Sequence, residues 1–321
     1  DKATAHFKEA WNLIKKTKNN DLVRRGFQSQ GLSFWLQGNF SKAIKCYEKS
    51  IGMIDSLTAD DFSMLASLQL ALCYTQVGMP QRGLGLSESI YQYAEKTGNA
   101  PLAAFSLSTT GLILLEIREL KDSRTYFEMA MEVSKKESLP MTEIISGIGL
   151  ANIECIEGNY EIAARLFKIL YKIRKSSWYH TLNSSHAFET GMMMYQQGIH
   201  FPELTSVIQY LNEIKKEQVN PVLYGIIRRA QIQLQSGDDP TALKEKVTGL
   251  IALEAHVKQA GETFELAKIR IDLARLYLRL NQWPQAEKYA KRAWTFLKPI
   301  ARAVYPSDLT HLIPAEDLSM E

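Results

Sequence analysis

The chain has 321 residues, of which 45% are hydrophobic and 23% are charged, as in an ordinary well-packed globular protein. Its 38 lysine and arginine residues nearly balance its 35 acidic residues, which argues against nucleic acid as a partner because nucleic-acid-binding surfaces carry a clustered basic excess. An apolar run of about 18 residues and a basic-then-apolar leader are both missing, so we expect a cytoplasmic protein without a membrane partner.

The three cysteines indicate a reducing compartment. Cys46, Cys73 and Cys155 are odd in number, scattered, and placed inside helical patterns. They therefore fit small core residues better than a disulfide framework. Because the sequence begins with Asp1 and not with methionine, we also expect it to be a piece of a longer chain.

The predicted elements are helices that recur with a period of 40 residues. Residues 38–43 read Gly-Asn-Phe-Ser-Lys-Ala, and residues 158–163 read Gly-Asn-Tyr-Glu-Ile-Ala. A strict period of this size indicates a stack of supersecondary units and not a compact catalytic domain. The equivalent turn positions of five successive units are Gly38, Gly78, Arg118, Gly158 and Gly198.

A small residue recurs in the first helix of every unit. Glycine costs about 1 kcal/mol in a helix interior, so its repeated use there predicts that neighbouring helices approach each other closely. The positions concerned are Gly31, Ala71, Gly111, Ala151, Gly191, Ala230 and Ala274.

Each unit is predicted to contain a helix A, a short turn and a helix B. The first helix, within residues 1–20, has the register of a helix B and forms a half repeat. The pattern ends after residue 302, so we predict that residues 303–321 are an exit linker toward a further domain. The full units are 21–58, 60–98, 100–138, 140–177, 180–218, 221–260 and 262–302.

These spacings resemble the tetratricopeptide repeat. Each unit has Gly or Ala at its eighth position, and three have an aromatic residue at the eleventh: Phe34, Tyr74 and Tyr277. The match runs from Ala3 to about Pro299 but departs from the common form, because each unit is about six residues longer. The resemblance implies an all-α fold, a right-handed superhelical α-solenoid of antiparallel helix pairs with about seven repeats plus the half repeat. The long units are similar to arrays in large bacterial signalling and transcriptional regulators of the maltose-activator type.

The A helices of such an array line its concave face, where a ligand binds. Two interpretations of the mostly apolar residues there stay open: they are buried against the next A helix, or they form a groove for an amphipathic helix or a peptide. The candidate binding face comprises Gln28, Leu32, Trp35, Leu68, Leu72, Gln76, Leu112, Asn152, Phe188, Met192 and Tyr195.

We predict that the chain is not an enzyme and uses no cofactor or metal. Residues 147–149 (Gly-Ile-Gly) are part of a dinucleotide-binding fingerprint, but they fall inside a helix without a preceding strand. His180 and His186 lie close in sequence, but no cluster of cysteines or carboxylates joins them.

Three functional hypotheses follow. The first is a non-catalytic interaction or sensing module of a larger bacterial signalling or transcriptional regulator, which binds a partner helix, a peptide, an effector or flanking domains of its own chain. The second is a stand-alone receptor for a peptide or small molecule, similar to quorum-peptide receptors. Such receptors use several inner asparagines, whereas this chain offers only Asn152. The third is a scaffold that self-associates through its ends.

Overall fold

A computed structural model of the chain describes residues 9–14, 16, 19–53, 61–174, 184–213, 215 and 219–318. Those residues form α-helices joined by short turns and 3₁₀ helices, with no β-strand among them. The α-helices are α1 (Asn20–Leu36), α2 (Phe40–Ile51), α3 (Asp61–Gln76), α4 (Pro80–Thr97), α5 (Ala100–Glu116), α6 (Leu120–Lys136), α7 (Pro140–Ile156), α8 (Tyr160–Arg174), α9 (Ser184–Gln196), α10 (Pro202–Glu213), α11 (Pro221–Leu234), α12 (Pro240–Val257), α13 (Phe264–Arg279), α14 (Trp283–Leu297) and α15 (Ala315–Leu318).

Helices α1 to α14 form seven antiparallel pairs, in which the odd-numbered helix is helix A and the even-numbered helix is helix B. Each A helix packs on its own B helix and on the A helix of the next unit. The predicted all-α solenoid of helix pairs is therefore confirmed.

The recurring turn sequence ends one helix and begins the next. Gly38 has the left-handed φ of 72° that a short turn after helix A requires. Asn39 then caps α2, since its side-chain oxygen accepts a hydrogen bond from the Lys42 amide at 3.3 Å. Asn99 and Asn220 cap α5 and α11 in the same way, and a proline follows at the first or second helical position.

Glycines in the A helices accept aromatic rings from neighbouring helices. Phe127 of α6 is completely buried between Gly111 of α5 and Gly149 of α7. A β-carbon at Gly111 would lie 2.7 Å from its ring, and one at Gly149 would lie 2.3 Å away. Tyr47 occupies the equivalent place against Gly31. The small residues of the repeat are therefore sites of close helix approach.

The first units of the solenoid touch the last ones. A β-carbon at Gly38 would lie 2.9 Å from Cδ of Pro221, at the start of α11. A β-carbon at Gly78 would lie 3.2 Å from the ring of Phe296 in α14, and Ile300 follows at 3.3 Å. We call these two sets of contacts, at Gly38 and at Gly78, the closure contact. The first and last units meet there, and the concave face forms a half-open interior space between them.

Residues 303–318, part of the predicted exit linker, pack against the last helix pair. They contain the 3₁₀ helix Ser307–Leu312 and the short α15. Tyr305 and Leu309 are buried, and the Tyr305 ring lies 5.1 Å from that of Trp294. This segment therefore covers the end of α14, because its apolar residues recur at helical spacing and provide a face to bury.

Most of the predicted half repeat lies outside the described residues. Residues 9–14 within it are helical, and the Trp11 ring packs on Phe27 of α1 with centroids 4.8 Å apart. None of the helices in the described part of the chain is long and apolar enough to cross a membrane.

Candidate functional site

Two adjoining cavities lie in the interior space. The first, the apolar cavity, has a volume of about 370 Å³ and lies between α1, α3 and α5 on one side and α9, α11 and α13 on the other. The second, the charged cavity, has about 280 Å³ and is lined by α7, α9, α11 and α13 with residues around Val304. Both are lined by Glu189, Ile226 and Lys268, so they meet at these three side chains.

Six of the predicted binding-face residues line the two cavities. All six lie on the inner side of an A helix. Four belong to the first three units, and two belong to the fourth and fifth units. Those at the apolar cavity are Trp35, Leu72, Gln76 and Leu112; those at the charged cavity are Asn152 and Met192.

The other predicted residues lie elsewhere. Leu68 is buried in the core because its side chain packs in a cluster with Ile90 of α4, and it lines neither cavity. Leu32 is exposed on α1, and Gln28 is buried there, away from both cavities. The Tyr195 ring packs edge-on against His200 at 4.7 Å. The Phe188 side chain lies outside the described part of the structure.

A network of charges joins the two cavities. Arg229 of α11 donates from Nε to Oε1 of Glu265 at 2.6 Å and from Nη2 to Oε1 of Glu189 at 3.2 Å. Lys268 of α13 donates to the same Glu189 oxygen at 3.1 Å and lies 3.5 Å from Glu116 of α5. The network therefore ties A helices of the third, fifth, sixth and seventh units together across the interior.

Burial and ion pairing set the protonation of this network. Burial raises the pKa of Glu189, but Lys268 and Arg229 outweigh it and bring the pKa down to about 2. Burial lowers the pKa of Lys268, but Glu116 and Glu189 outweigh it, so its pKa is raised and the ammonium stays charged. Burial lowers the pKa of His186 below its usual 6.5, which keeps that imidazole neutral near pH 7.

No protein-family model matches this sequence, and no curated protein matches it either. Solved structures do. A Rap protein complexed with the competence and sporulation factor has 14% identity and a TM-score of 0.63, over 91% of this chain and 80% of that one. The Rap conjugation gene regulator of the plasmid pLS20, in complex with the Phr* peptide, has 15% identity and a TM-score of 0.64, over 92% and 78%. The apo form of RapI has 12% identity and a TM-score of 0.55, over 86% and 99%.

These likenesses concern the fold. The fold is of the tetratricopeptide-repeat type. At identities of 12–15% they carry no residue of a binding site from those proteins to this chain.

The charge network was missed by reasoning from the tetratricopeptide register alone. The sequence does carry a partial signal for it, because Glu189 and Arg229 lie in A helices with few other charges, whereas Lys268 lies among several charged residues of α13. Of the adjacent pair Arg228 and Arg229, only the second reaches the interior; the first is exposed and donates to Gln231 on its own helix. A charged residue at an inner A-helix position is therefore the feature to look for in such repeats.

The charges do not build a metal site. Within the described ranges no group of three or more His, Cys, Asp or Glu side chains is arranged to hold a metal ion. His186 faces Glu116 at 3.8 Å, whereas His180 lies outside the described residues. Burial raises the pKa of the Cys155 thiol to about 12, so that cysteine is a protonated core residue.

The low pKa of Glu189 predicts a loss of stability in acid. A carboxyl whose pKa is depressed by folding stabilises the native state above its ordinary value of 4.5, and this contribution is lost as the pH falls from 4.5 toward about 2. We expect Glu189→Gln to be less stable at neutral pH and to show a flatter fall in unfolding free energy over that window. Urea denaturation at a series of pH values measures this pH dependence of the unfolding free energy. Glu161→Gln, at an exposed position, is the control. Equal slopes for Glu189→Gln and the unmodified chain would refute the assignment.

Proposed function

We propose that this chain is a non-catalytic receptor or sensing module that binds a short peptide in the two cavities of its concave face. The observation that carries the proposal is the pair of adjoining cavities on the concave side of the solenoid, one apolar and one charged. Apolar walls with a few convergent polar groups are the usual make-up of a ligand site. Solved structures of this fold include the pLS20 Rap regulator in complex with the Phr* peptide, which supports a peptide as the ligand class.

The dimensions of the interior favour a short extended peptide over an amphipathic helix. A helix with its side chains is about 10–12 Å across and needs an open groove along its length. The closure contact at Gly38 and Gly78 narrows the concave face and leaves half-open cavities of about 370 and 280 Å³. A few residues of extended chain match that space, and a helix several turns long does not.

The lining supplies what an extended peptide needs. Trp35, Leu72 and Leu112 offer apolar contact to its side chains. Its backbone amides and carbonyls lose water on entry and require partners, since an unpaired buried polar group costs roughly 1–3 kcal/mol. Gln76 at the apolar cavity and Gln233 at the charged one carry side-chain amides that can both donate and accept.

We also propose that peptide binding serves as the input of a larger bacterial signalling or transcriptional regulator, of the kind that the long repeat units resemble. The supporting observation is the network of Glu116, Glu189, Arg229 and Lys268, which links four A helices at the place where the two cavities meet. A ligand in that place contacts helices from both ends of the array and so favours one arrangement of them over another.

A cavity-filling variant tests the site. We expect Gln76→Trp to fill part of the apolar cavity and to weaken capture of peptides from a randomised library of short linear peptides by about tenfold or more. Gln92→Trp, on the exposed face of α4, makes the same substitution outside the cavities and is the matched control. Affinity selection followed by mass spectrometry gives the peptides, and isothermal titration calorimetry gives their affinities. Failure of the unmodified chain to retain any peptide, or equal binding by the two variants, would contradict the proposal.

A further inference from the structure

Arg118 breaks the pattern of the repeat at the edge of the charged cavity. It occupies the turn position that is glycine in the first, second, fourth and fifth units. The backbone there is left-handed in all five, with φ between 67° at Arg118 and 83° at Gly158. A residue with a β-carbon has a steric penalty in this conformation that glycine avoids. Arginine therefore destabilises this turn relative to glycine.

The Arg118 side chain forms no hydrogen bond with any described residue, and it attracts Glu189 only through space. The side chain is half-buried and lines the charged cavity, where it forms no ion pair with any described residue. The other cations of the lining are all paired with acids. Arg229 lies 2.6 Å from Glu265, Lys268 lies 3.1 Å from Glu189, and Arg275 lies 2.8 Å from Asp308.

The acids of the same cavity lining already have cationic partners. Glu189 is engaged by both Lys268 and Arg229, and Asp272 lies 3.5 Å from Arg229. Arg118 is therefore a cation that faces a half-open space and shares its acid, Glu189, with two closer cations. A guanidinium in such a place binds a carboxylate well, since its planar fork matches the two carboxylate oxygens.

We infer that Arg118 is the anchor for a carboxylate of the bound ligand, and that the ligand enters the charged cavity with that group first. The inference rests on the proposed function, because it assumes that a peptide occupies the interior. It adds the chemical class of the group recognised: a C-terminal carboxylate or an acidic side chain of the peptide. It also gives the peptide a direction, with its anionic end beside α5 and its apolar part toward Trp35.

Three substitutions test the anchor. We expect Arg118→Gly to weaken peptide binding by about thirtyfold or more, the loss usual when one partner of a buried charge pair is removed. The same variant relieves the left-handed strain, and we expect its Tm to rise by about 2 °C. Arg118→Lys keeps the charge and should retain more of the binding. Asn281→Gly is the matched control: it has a φ of 55° at the equivalent turn of the last unit, is exposed, and lies away from both cavities.

The probe is a randomised library of short linear peptides, presented with free and with amidated C-termini. Binding that is lost on amidation assigns the terminal carboxylate, and binding that survives amidation but requires Asp or Glu in the selected peptides assigns an acidic side chain. Peptides that bind the unmodified chain and Arg118→Gly equally well overturn the anchor while the receptor function stands. Absence of any bound peptide on the unmodified chain overturns the receptor function itself. A fall in the Tm of Arg118→Gly overturns the premise of strain.

Discussion

Replacing Gly149 with alanine is expected to lower the free energy of unfolding by about 3 kcal/mol, although it adds a single methyl group. That methyl carbon would lie 2.3 Å from Cε2 and Cζ of the Phe127 ring, far inside contact distance. The ring is completely buried and cannot turn aside, because Gly111 holds its other edge at a comparable distance. The substitution therefore forces α6 and α7 apart, which is the cost of overpacking a close helix crossing. We expect Gly111→Leu to be destabilising for the same reason.

The matched control is Gly85→Ala on the exposed side of α4. A β-carbon there meets nothing within 4 Å. The same substitution should therefore raise stability by about 0.5–1 kcal/mol, since alanine is the better helix former. Guanidinium denaturation, followed by circular dichroism at 222 nm, measures the unfolding free energy of both variants. Ellipticity at this wavelength reports helix content. A Gly149→Ala variant as stable as the unmodified chain would show that the helix register described above is wrong.

The second large effect is expected from Arg229→Met, with a loss of about 3–5 kcal/mol. Arg229 faces three acids, at 2.6 Å for Glu265, 3.2 Å for Glu189 and 3.5 Å for Asp272. Glu265 is 2% exposed, and burial raises its pKa to about 7 even beside Arg229, so methionine would force this buried carboxyl to take up a proton. Removing one partner of a buried pair costs far more than the pair contributes, because the group left behind must either take up a proton or stay charged with a weaker set of partners.

The adjacent Arg228 supplies the control. It is exposed and donates to Gln231 on its own helix, so Arg228→Met should change stability by less than about 0.5 kcal/mol. Both variants remove one positive charge, and their comparison separates the network from the effect of net charge. Thermal and urea denaturation at neutral pH measure the difference. Equal stabilities of the two variants would show that the network of Glu189, Glu265 and Arg229 contributes little.

The repeat architecture is predictable from the sequence because it depends on local features. Gly38 and Asn39 mark a helix end and a helix start within two residues, and the small position at Gly111 recurs in every unit. Each of these signals acts within one unit or between neighbours, which is the range that a periodic pattern encodes.

The candidate site depends on contacts between distant units, and its geometry was therefore not predictable. Lys268 meets Glu189 across 79 residues of sequence, and it approaches Glu116 from still further away. Whether these side chains meet depends on the small rotation between successive units. That rotation sums over the array, and the 40-residue period of the sequence does not reveal it. Leu68 shows the same limit on a smaller scale, because its burial beside Ile90 depends on how α3 and α4 pack and not on its position in the repeat.

The closure contact has a consequence for how the chain folds. In an open solenoid each unit interacts only with its neighbours, so the array can fray from one end while the rest stays folded. Here the turns at Gly38 and Gly78 rest on α11 and α14, and melting the first two units also removes contacts from the last two. The described array is therefore expected to unfold in one cooperative transition. It should also fold slowly for an α-helical protein, because the ends must find each other across a long loop of chain before those contacts stabilise either of them.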